Sequence, residues 1–362
     1  MKILLLSKYS RLGASSRLRY LQYIPYLEKS GVEVVVNSLF DDVYLKHLYS
    51  SGKRPVFRSI YCYLVRFFAL FTVRKYDVIL IEKEVFPYFP ATVERLLRVF
   101  APPYVVDYDD AIFHNYDLSS NSLIRKILGR KIDVVMRNAR CVIAGNDYLA
   151  NRATAAGAKD VVVVPTVVDK SRYLAKRDAS SQSLVIGWIG SPSTQKYVVA
   201  IRQALLKVCD EFGARVILMG ATPEIVDELP GIAVEVRPWS EDSEVDFIRQ
   251  LDVGIMPLVD GPWEKGKCGY KLIQYMASGV PVVASPVGVN IEIVNGNQCG
   301  LLADSPAEWE SSLLKLLGNA DQRLHYGRAG RAAVENTYTL HVQVLALNKI
   351  FCGIVGKKKC SL

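Results

Sequence analysis

A chain of 362 residues, half of them hydrophobic and 22% charged, can bury a core in each of two domains, which argues against a disordered protein. A formal net charge of +9 favours acidic partners: nucleic acid, an anionic membrane or phosphorylated small molecules. Seven cysteines without a C-x-x-C pair argue against a zinc cluster or a disulfide framework and favour a reducing compartment.

The opening MKILLLS is too short for a signal peptide, and residues 2–7 read as a buried strand. A small-residue turn follows at Gly13, Ala14, Ser15 and Ser16, and apolar spacing predicts a helix over 17–29. Strand, small-residue turn and helix is how a Rossmann-like unit begins; residues 32–37 supply its second strand. The turn lacks a complete G-x-G-x-x-G, so a dinucleotide fingerprint is not supported. Ser15, Ser16 and Arg17 stand where a phosphate would be touched, while Arg17 and Arg19 read equally well as surface charge.

Residues 56–73, VFRSIYCYLVRFFALFTV, are apolar enough to suggest a membrane span, but Arg58 and Arg66 interrupt the run. A charge near mid-helix is costly in lipid. Two readings remain. One is a core helix of the first domain with its arginines pointing outward. The other is a basic, aromatic helix lying on an anionic bilayer, flanked by Lys53, Arg54, Arg74 and Lys75.

Further strands are expected at 76–81, 104–106, 141–144 and 161–164. Acids gather at two carboxyl ends: Glu82 and Glu84 after one strand, Asp107, Asp109 and Asp110 after the next. Open α/β sheets bind ligands at such ends. The D-x-D pair suits Mg²⁺ or Mn²⁺ beside a nucleotide sugar, or orients an acceptor hydroxyl without metal, or caps the helix that follows. His114, close by, reads as a structural polar residue.

The polar segment 170–183 reads as a hinge, and 184–189 restarts the pattern with a strand. Gly190, Ser191, Pro192, Ser193 and Thr194 form a second small-residue loop, with Lys196 in reach. Strands at 216–219, ending at Gly220, and at 232–236, ending near Arg237 and Trp239, come next. Those at 252–257, 282–284 and 299–302 complete the sheet, and helices at 306–317, 320–335 and 340–350 close the chain before the basic tail Lys357, Lys358, Lys359 and Cys360. The tail reads as solvated, with weak attraction to anionic lipid as the other option.

The most informative stretch is 264–288, EKGKCGYKLIQYMASGVPVVASPVG. Gly266, Lys267, Cys268 and Gly269 precede a short helix that carries Lys271 in its first turn. Glycines before a helix let backbone N–H groups approach an anion, and the helix N-terminus favours negative charge. The stretch reads as the grip on a diphosphate; the bland alternative is a buried joint with solvated lysines.

That stretch, together with GWIGS at 187–191, VPTVVD at 164–169 and Val287-Gly288, resembles the retaining glycosyltransferases of family 4. GASSRLR at 13–19 and VVDYDDA at 105–111 match more loosely. The resemblance implies an α/β chain of the GT-B fold, two Rossmann-like domains with parallel sheets facing across a cleft. Residues 1–169 would be the acceptor domain and 184–336 the nucleotide-sugar domain, with a helix at 337–355 packing back on the first. Lys196 and Lys271 would stabilise the departing diphosphate, with Asp109 near the sugar. Gly13, Ser15, Gly190, Ser191, Gly220, Arg237, Trp239, Lys267, Gly269 and Gln274 would line the nucleotide-sugar site.

Gly266 and Gln274 fall where the family carries its paired glutamates, so the E-x7-E pattern is absent; Glu264 or backbone N–H groups near Gly269 are the candidate replacements. The basic residue expected after the first strand of the second domain is also missing, and Lys196 stands nearby. No metal or other cofactor is implied. The implied partners are a UDP- or GDP-sugar and a saccharide or polyprenyl-linked acceptor, with an anionic membrane touched through 53–75, and no nucleic acid. The location implied is cytoplasmic, peripheral on the inner face of the cell membrane. Three other readings stay open: an epimerase of the same fold using His114 and Asp109, a metal-dependent transferase using Asp107 and Asp109, and a non-catalytic nucleotide-sugar binder.

Overall fold

The computed structural model describes residues 1–174 and 183–356. Two compact units divide the chain. Met1–Val167, the short segment Gly266–Cys268 and the helix Leu340–Val355 make the first; Val168–Lys265 and Gly269–Thr339 make the second.

Six parallel strands form the first sheet: β1 (Lys2–Tyr9), β2 (Glu33–Phe40), β3 (Val78–Glu82), β4 (Tyr104–Tyr108), β5 (Cys141–Ala144) and β6 (Val161–Val163). Their order is β2-β1-β3-β4-β5-β6. Every residue of β3, β4 and β5 is buried, because a parallel sheet is covered on both faces; this is why these strands read as nearly unbroken apolar runs. Leu340, Val344, Leu347 and Phe351 of the last helix join Ile3, Leu5, Leu80 and Val105 in one core. Each such side chain contributes roughly 1.5–3 kcal/mol by leaving water.

The second sheet has the same construction: β7 (Val185–Ile189), β8 (Arg215–Met219), β9 (Val234–Arg237), β10 (Val253–Met256), β11 (Val282–Ala284) and β12 (Gly300–Leu302). All pairings are parallel, in the order β12-β11-β10-β7-β8-β9. Helix Pro306–Gly318 covers one face. It starts with a capping box in which Ser305 and Glu308 satisfy each other's backbone N–H groups, and it buries Trp309. Strand order reverses between β1 and β3 in the first sheet and between β7 and β10 in the second. Ligands of open α/β sheets bind outside the carboxyl ends at such reversals.

All of the expected strands are present, most with shifted ends. Four expectations are corrected. Residues 17–29 are not one helix: Ala14–Arg19 ends at Tyr20, a 3₁₀ turn spans Leu21–Tyr23, and Ile24–Lys29 restarts with Pro25 in its first turn. Proline has no N–H for the bond back to Leu21, and its ring clashes with that carbonyl. Arg17 and Arg19 are not surface charge; both are buried.

The arginines of 56–73 do not both point outward either. The segment forms helix Val56–Ala69 with a 3₁₀ extension, Leu70–Lys75. Arg66 is only 1% exposed. Its guanidinium donates to Asn37 Oδ1 at 2.5 Å, Ser7 O at 2.6 Å and Asn37 O at 2.7 Å, so hydrogen bonds offset the cost of burying the charge. Val56–Lys75 has the length and hydropathy of a membrane-crossing helix, yet Arg66 fastens it to the ends of β1 and β2. The start of the expected hinge belongs to the second unit, where Tyr173 is buried in its core. The rest of that hinge, residues 175–182, and the lysine-rich tail lie outside the described residues.

Candidate active site

The carboxyl end of the first sheet holds a knot of charge. β1 leads through a turn, in which Gly13 N–H bonds Ser10 O, into the helix carrying Ser15 and Ser16. Ser15 Oγ lies 2.9 Å from Glu82 Oε1 and 2.8 Å from Asp109 Oδ2. Glu82 Oε2 accepts from Lys8 N–H at 2.6 Å and from the Ser16 hydroxyl at 2.5 Å. Burial pushes the Glu82 carboxyl up from its ordinary range. Lys83 follows β3 with φ +67°, a left-handed conformation rare for a side-chain-bearing residue. That backbone places its ammonium 2.8 Å from Asp109 Oδ1, 3.1 Å from Ser15 Oγ and 3.9 Å from Asp110 Oδ2. Burial works against ionising Asp109, but Lys83 outweighs it and holds that carboxyl down at about 2.

Asp107 is engaged separately. Arg19 meets it with two bonds, Nε to Oδ2 at 3.0 Å and a terminal nitrogen to Oδ1 at 2.6 Å, and both side chains are buried. Burial lowers the tendency of Arg19 to stay charged, but Asp107 more than restores it. Glu84 pairs with Lys131 and accepts from the Tyr116 hydroxyl. His114 is held between Asp117 and Tyr148, at 2.8 and 2.9 Å, which fits a structural role. Among the described residues, no three His, Cys, Asp or Glu side chains gather as a metal site.

Gly266, Lys267 and Cys268 belong to this unit. Asn146 donates to Lys267 O at 2.9 Å, and the Cys268 thiol donates to Asp109 O at 3.1 Å. The half of the motif 264–288 that carries Lys267 is thereby fastened over Asp109.

The carboxyl end of the second sheet is built differently. Gly190 N–H donates to Met219 O and Gly220 N–H to Arg237 O, each at 2.9 Å, so the loops after β7, β8 and β9 are laced together. Gly220 has φ +83°, and a Cβ there would stand 2.3 Å from Gly190 O; only glycine fits. Gln195 and Thr222 exchange bonds of 3.1 and 2.8 Å across the same loops. Ser191 is exposed and caps the turn Pro192–Thr194.

Lys196 is exposed, and its Nζ lies 5.2 Å from the Tyr197 ring centroid. Lys271, in the first turn of helix Tyr270–Ala277, lies 4.8 Å over the Trp188 ring of β7. Gly269 precedes that helix at φ +65°, and no side chain caps the helix N-terminus. A helix start turns its first N–H groups toward whatever lies beyond its end. β7 and β10 pair directly, so the segments bearing Lys196 and Lys271 leave adjacent strands at the reversal.

Several predicted site residues are turned elsewhere. Gln274, expected to line the nucleotide-sugar site, is 3% exposed and donates to the Tyr173 hydroxyl at 2.9 Å. Tyr173 in turn donates to Glu244, which also accepts from the Trp239 indole at 3.1 Å. Buried polar groups need such partners, and Tyr173 supplies one from a segment read as hinge. Arg237 is engaged by Glu235 at 2.6 Å and Gln250 at 3.0 Å. Glu264, a candidate replacement for a family glutamate, accepts from the Tyr197 hydroxyl. The residue that sequence reasoning missed is Lys83. Its signal was present: a lysine between two acids, Glu82 and Glu84, at the end of an expected strand.

Two parallel sheets, each with ligand-competent loops at its order reversal, define the GT-B class of fold. Residues 183–319 match the family model described as glycosyl transferases group 1, and the protein is a glycosyltransferase. Among solved structures, sucrose-phosphate synthase from Thermosynechococcus elongatus is 14% identical, with a TM-score of 0.73 over 98% of this chain and 99% of that one. HepE of Anabaena, solved with UDP, is 15% identical, with a TM-score of 0.71 over 98% of this chain and 100% of that one. WaaG, a glycosyltransferase involved in lipopolysaccharide biosynthesis, is 13% identical, with a TM-score of 0.69 over 98% and 100%. At these identities the likeness is one of fold. No curated protein matches the sequence.

Proposed function

We propose that the protein transfers a sugar from a UDP- or GDP-sugar to a saccharide or polyprenyl-linked acceptor, with retention of configuration, in the making of a cell-surface glycan. One observation carries the reading: the uncapped helix Tyr270–Ala277 starts at the order reversal of the second sheet with Lys271 in its first turn. Such a terminus attracts a diphosphate through backbone N–H groups and a full charge. Lys271 and Lys196, with N–H groups around Gly190 and Gly269, would stabilise the diphosphate as it departs. In the first unit, the carboxylates around Ser15 repel phosphate and suit sugar hydroxyls, so Asp109 would hold a hydroxyl or balance positive charge growing at the anomeric carbon.

HepE, of like fold, was solved with UDP and with UDP-glucose, which supports a UDP-sugar donor here. A metal-free reaction is supported by Asp107 and Asp109, the pair best spaced for a divalent ion, being already matched by Arg19 and Lys83. A peripheral place on an anionic membrane is supported by Phe57 and Phe71, 89% and 74% exposed, among the basic residues of 53–75.

Thermal unfolding with UDP, GDP and ADP tests the donor site first. Stabilisation by UDP or GDP is expected, and none from any nucleotide defeats the reading. Stabilisation without turnover of any nucleotide sugar favours a non-catalytic binder. Turnover abolished by EDTA removes the metal-free part.

A further inference from the structure

The first unit contains a cavity of about 730 Å³ that the donor chemistry leaves unused. It lies between helices Asp42–Ser51 and Val56–Ala69 and the loop after β3. Phe40, Tyr44, Tyr63, Leu64, Phe67 and Phe89 are among its walls. Its size and apolar lining are those of a small-molecule site. Two cations border it, Lys8 and Arg54. Arg54 makes no ion pair or hydrogen bond among the described residues. Lys8 donates its N–H to Glu82, so this end of the cavity adjoins the Ser15, Lys83 and Asp109 cluster.

A second cavity, of about 420 Å³, shares Phe67 and Val93 with the first and runs on to Phe71, Leu96 and Phe100. The two adjoin at Phe67 and Val93, so an apolar track leads from beside the charged cluster toward the exposed side chains of Phe71 and Phe100.

Two hydroxyls in the walls are already engaged. Ser59 Oγ donates to Pro55 O at 2.8 Å and the Tyr63 hydroxyl to Pro87 O at 3.0 Å. Against walls this largely apolar, a peptide would leave most of its backbone groups unsatisfied, at a cost in free energy; a hydrocarbon chain has none to satisfy. The cations at the inner end complement a phosphate. We infer that this track binds the hydrocarbon chain of a phosphate-bearing lipid, with the phosphate at Lys8 and Arg54. As an acceptor site it rests on the transfer reading above; chain binding itself does not. A sugar carried on that phosphate then lies toward Asp109, and the chain leaves toward the exposed face of 56–75.

Calorimetry with dodecyl phosphate below its micelle concentration tests this, with inorganic phosphate and UDP as separate titrants. One saturable site for dodecyl phosphate is expected, with inorganic phosphate weaker by about 100-fold or more, since the chain supplies most of the affinity. Ile60 is half-exposed, so Ile60→Glu folds but sets a carboxylate in the groove; it should weaken dodecyl phosphate at least about tenfold. Arg54→Ala should weaken it about threefold to tenfold. UDP affinity should be unchanged in both. Absent or non-saturable binding, or equal affinity in Ile60→Glu, overturns the site. Failure of UDP to bind the unmodified protein defeats the donor reading and leaves this result standing.

Discussion

Both sheets are six-stranded and parallel and each reverses its strand order once, with one strand beyond β1 and two beyond β7, yet their carboxyl ends carry opposite chemistry. In the first, charge is dense and internally matched: Arg19 with Asp107, Lys83 with Asp109, Lys131 with Glu84. In the second, the loops are glycine-lined, and the lysines lie over aromatic rings, Lys196 on Tyr197 and Lys271 on Trp188. A matched carboxylate cannot take a second full charge without losing its first partner, but it can still accept from a sugar hydroxyl. A lysine on an aromatic face keeps its full positive charge and can meet phosphate. The order reversal in each parallel sheet thus supplies a place for a ligand, and the residues at the strand ends decide which chemistry each place accepts.

Substitutions in each half sharpen or break this contrast. Arg19→Ala leaves Asp107 buried and unpaired and should cost about 3–5 kcal/mol of stability, measured by urea unfolding. Lys196→Ala, at an exposed site, should cost less than about 0.5 kcal/mol. Equal losses would mean that the two ends do not differ as described. Next in size, Asp109→Asn should lower kcat about 100-fold, about 2.7 kcal/mol of barrier, with the UDP or GDP dissociation constant nearly unchanged. A normal kcat removes Asp109 from the chemistry. Lys271→Ala should weaken UDP or GDP by about 2 kcal/mol, roughly 30-fold, in a calorimetric titration, while leaving dodecyl phosphate binding as it is.

The smallest effect is one of pH. Asp109 is held at about 2 in the folded protein, below its ordinary 3.8. A depressed carboxyl contributes stability that is fully present above its unfolded value and is lost as pH falls through the folded one. Its share of stability should therefore persist down to about pH 4 and disappear between about pH 4 and 2. Lys83→Met removes the opposing charge and should move that loss to higher pH, read from denaturation midpoints across the range.

Legibility followed the range of the forces involved. Strands such as β3, β4 and β7 were plain because two-sided burial demands an unbroken apolar run in one short segment. The loops at Gly190 and Gly269 were plain because small residues before a helix have few other uses. Helix 17–29 was misread through Pro25, a local signal that should have been given its weight. Arg66, Gln274 and Lys83 were different. Nothing beside Arg66 announces that Ser7 and Asn37, 59 and 29 residues away, will receive it. Gln274 finds Tyr173 across 101 residues.

The sequence by itself determined the two tandem α/β cores, the positions of their strand ends and the basic helix start at Lys271. These follow from residue volume, backbone freedom and hydrophobic period, which act within a few residues. Only the folded chain decided which charges neutralise one another. A charge is satisfied by whatever the topology brings within about 3 Å, and Arg19 meets Asp107 across 88 residues.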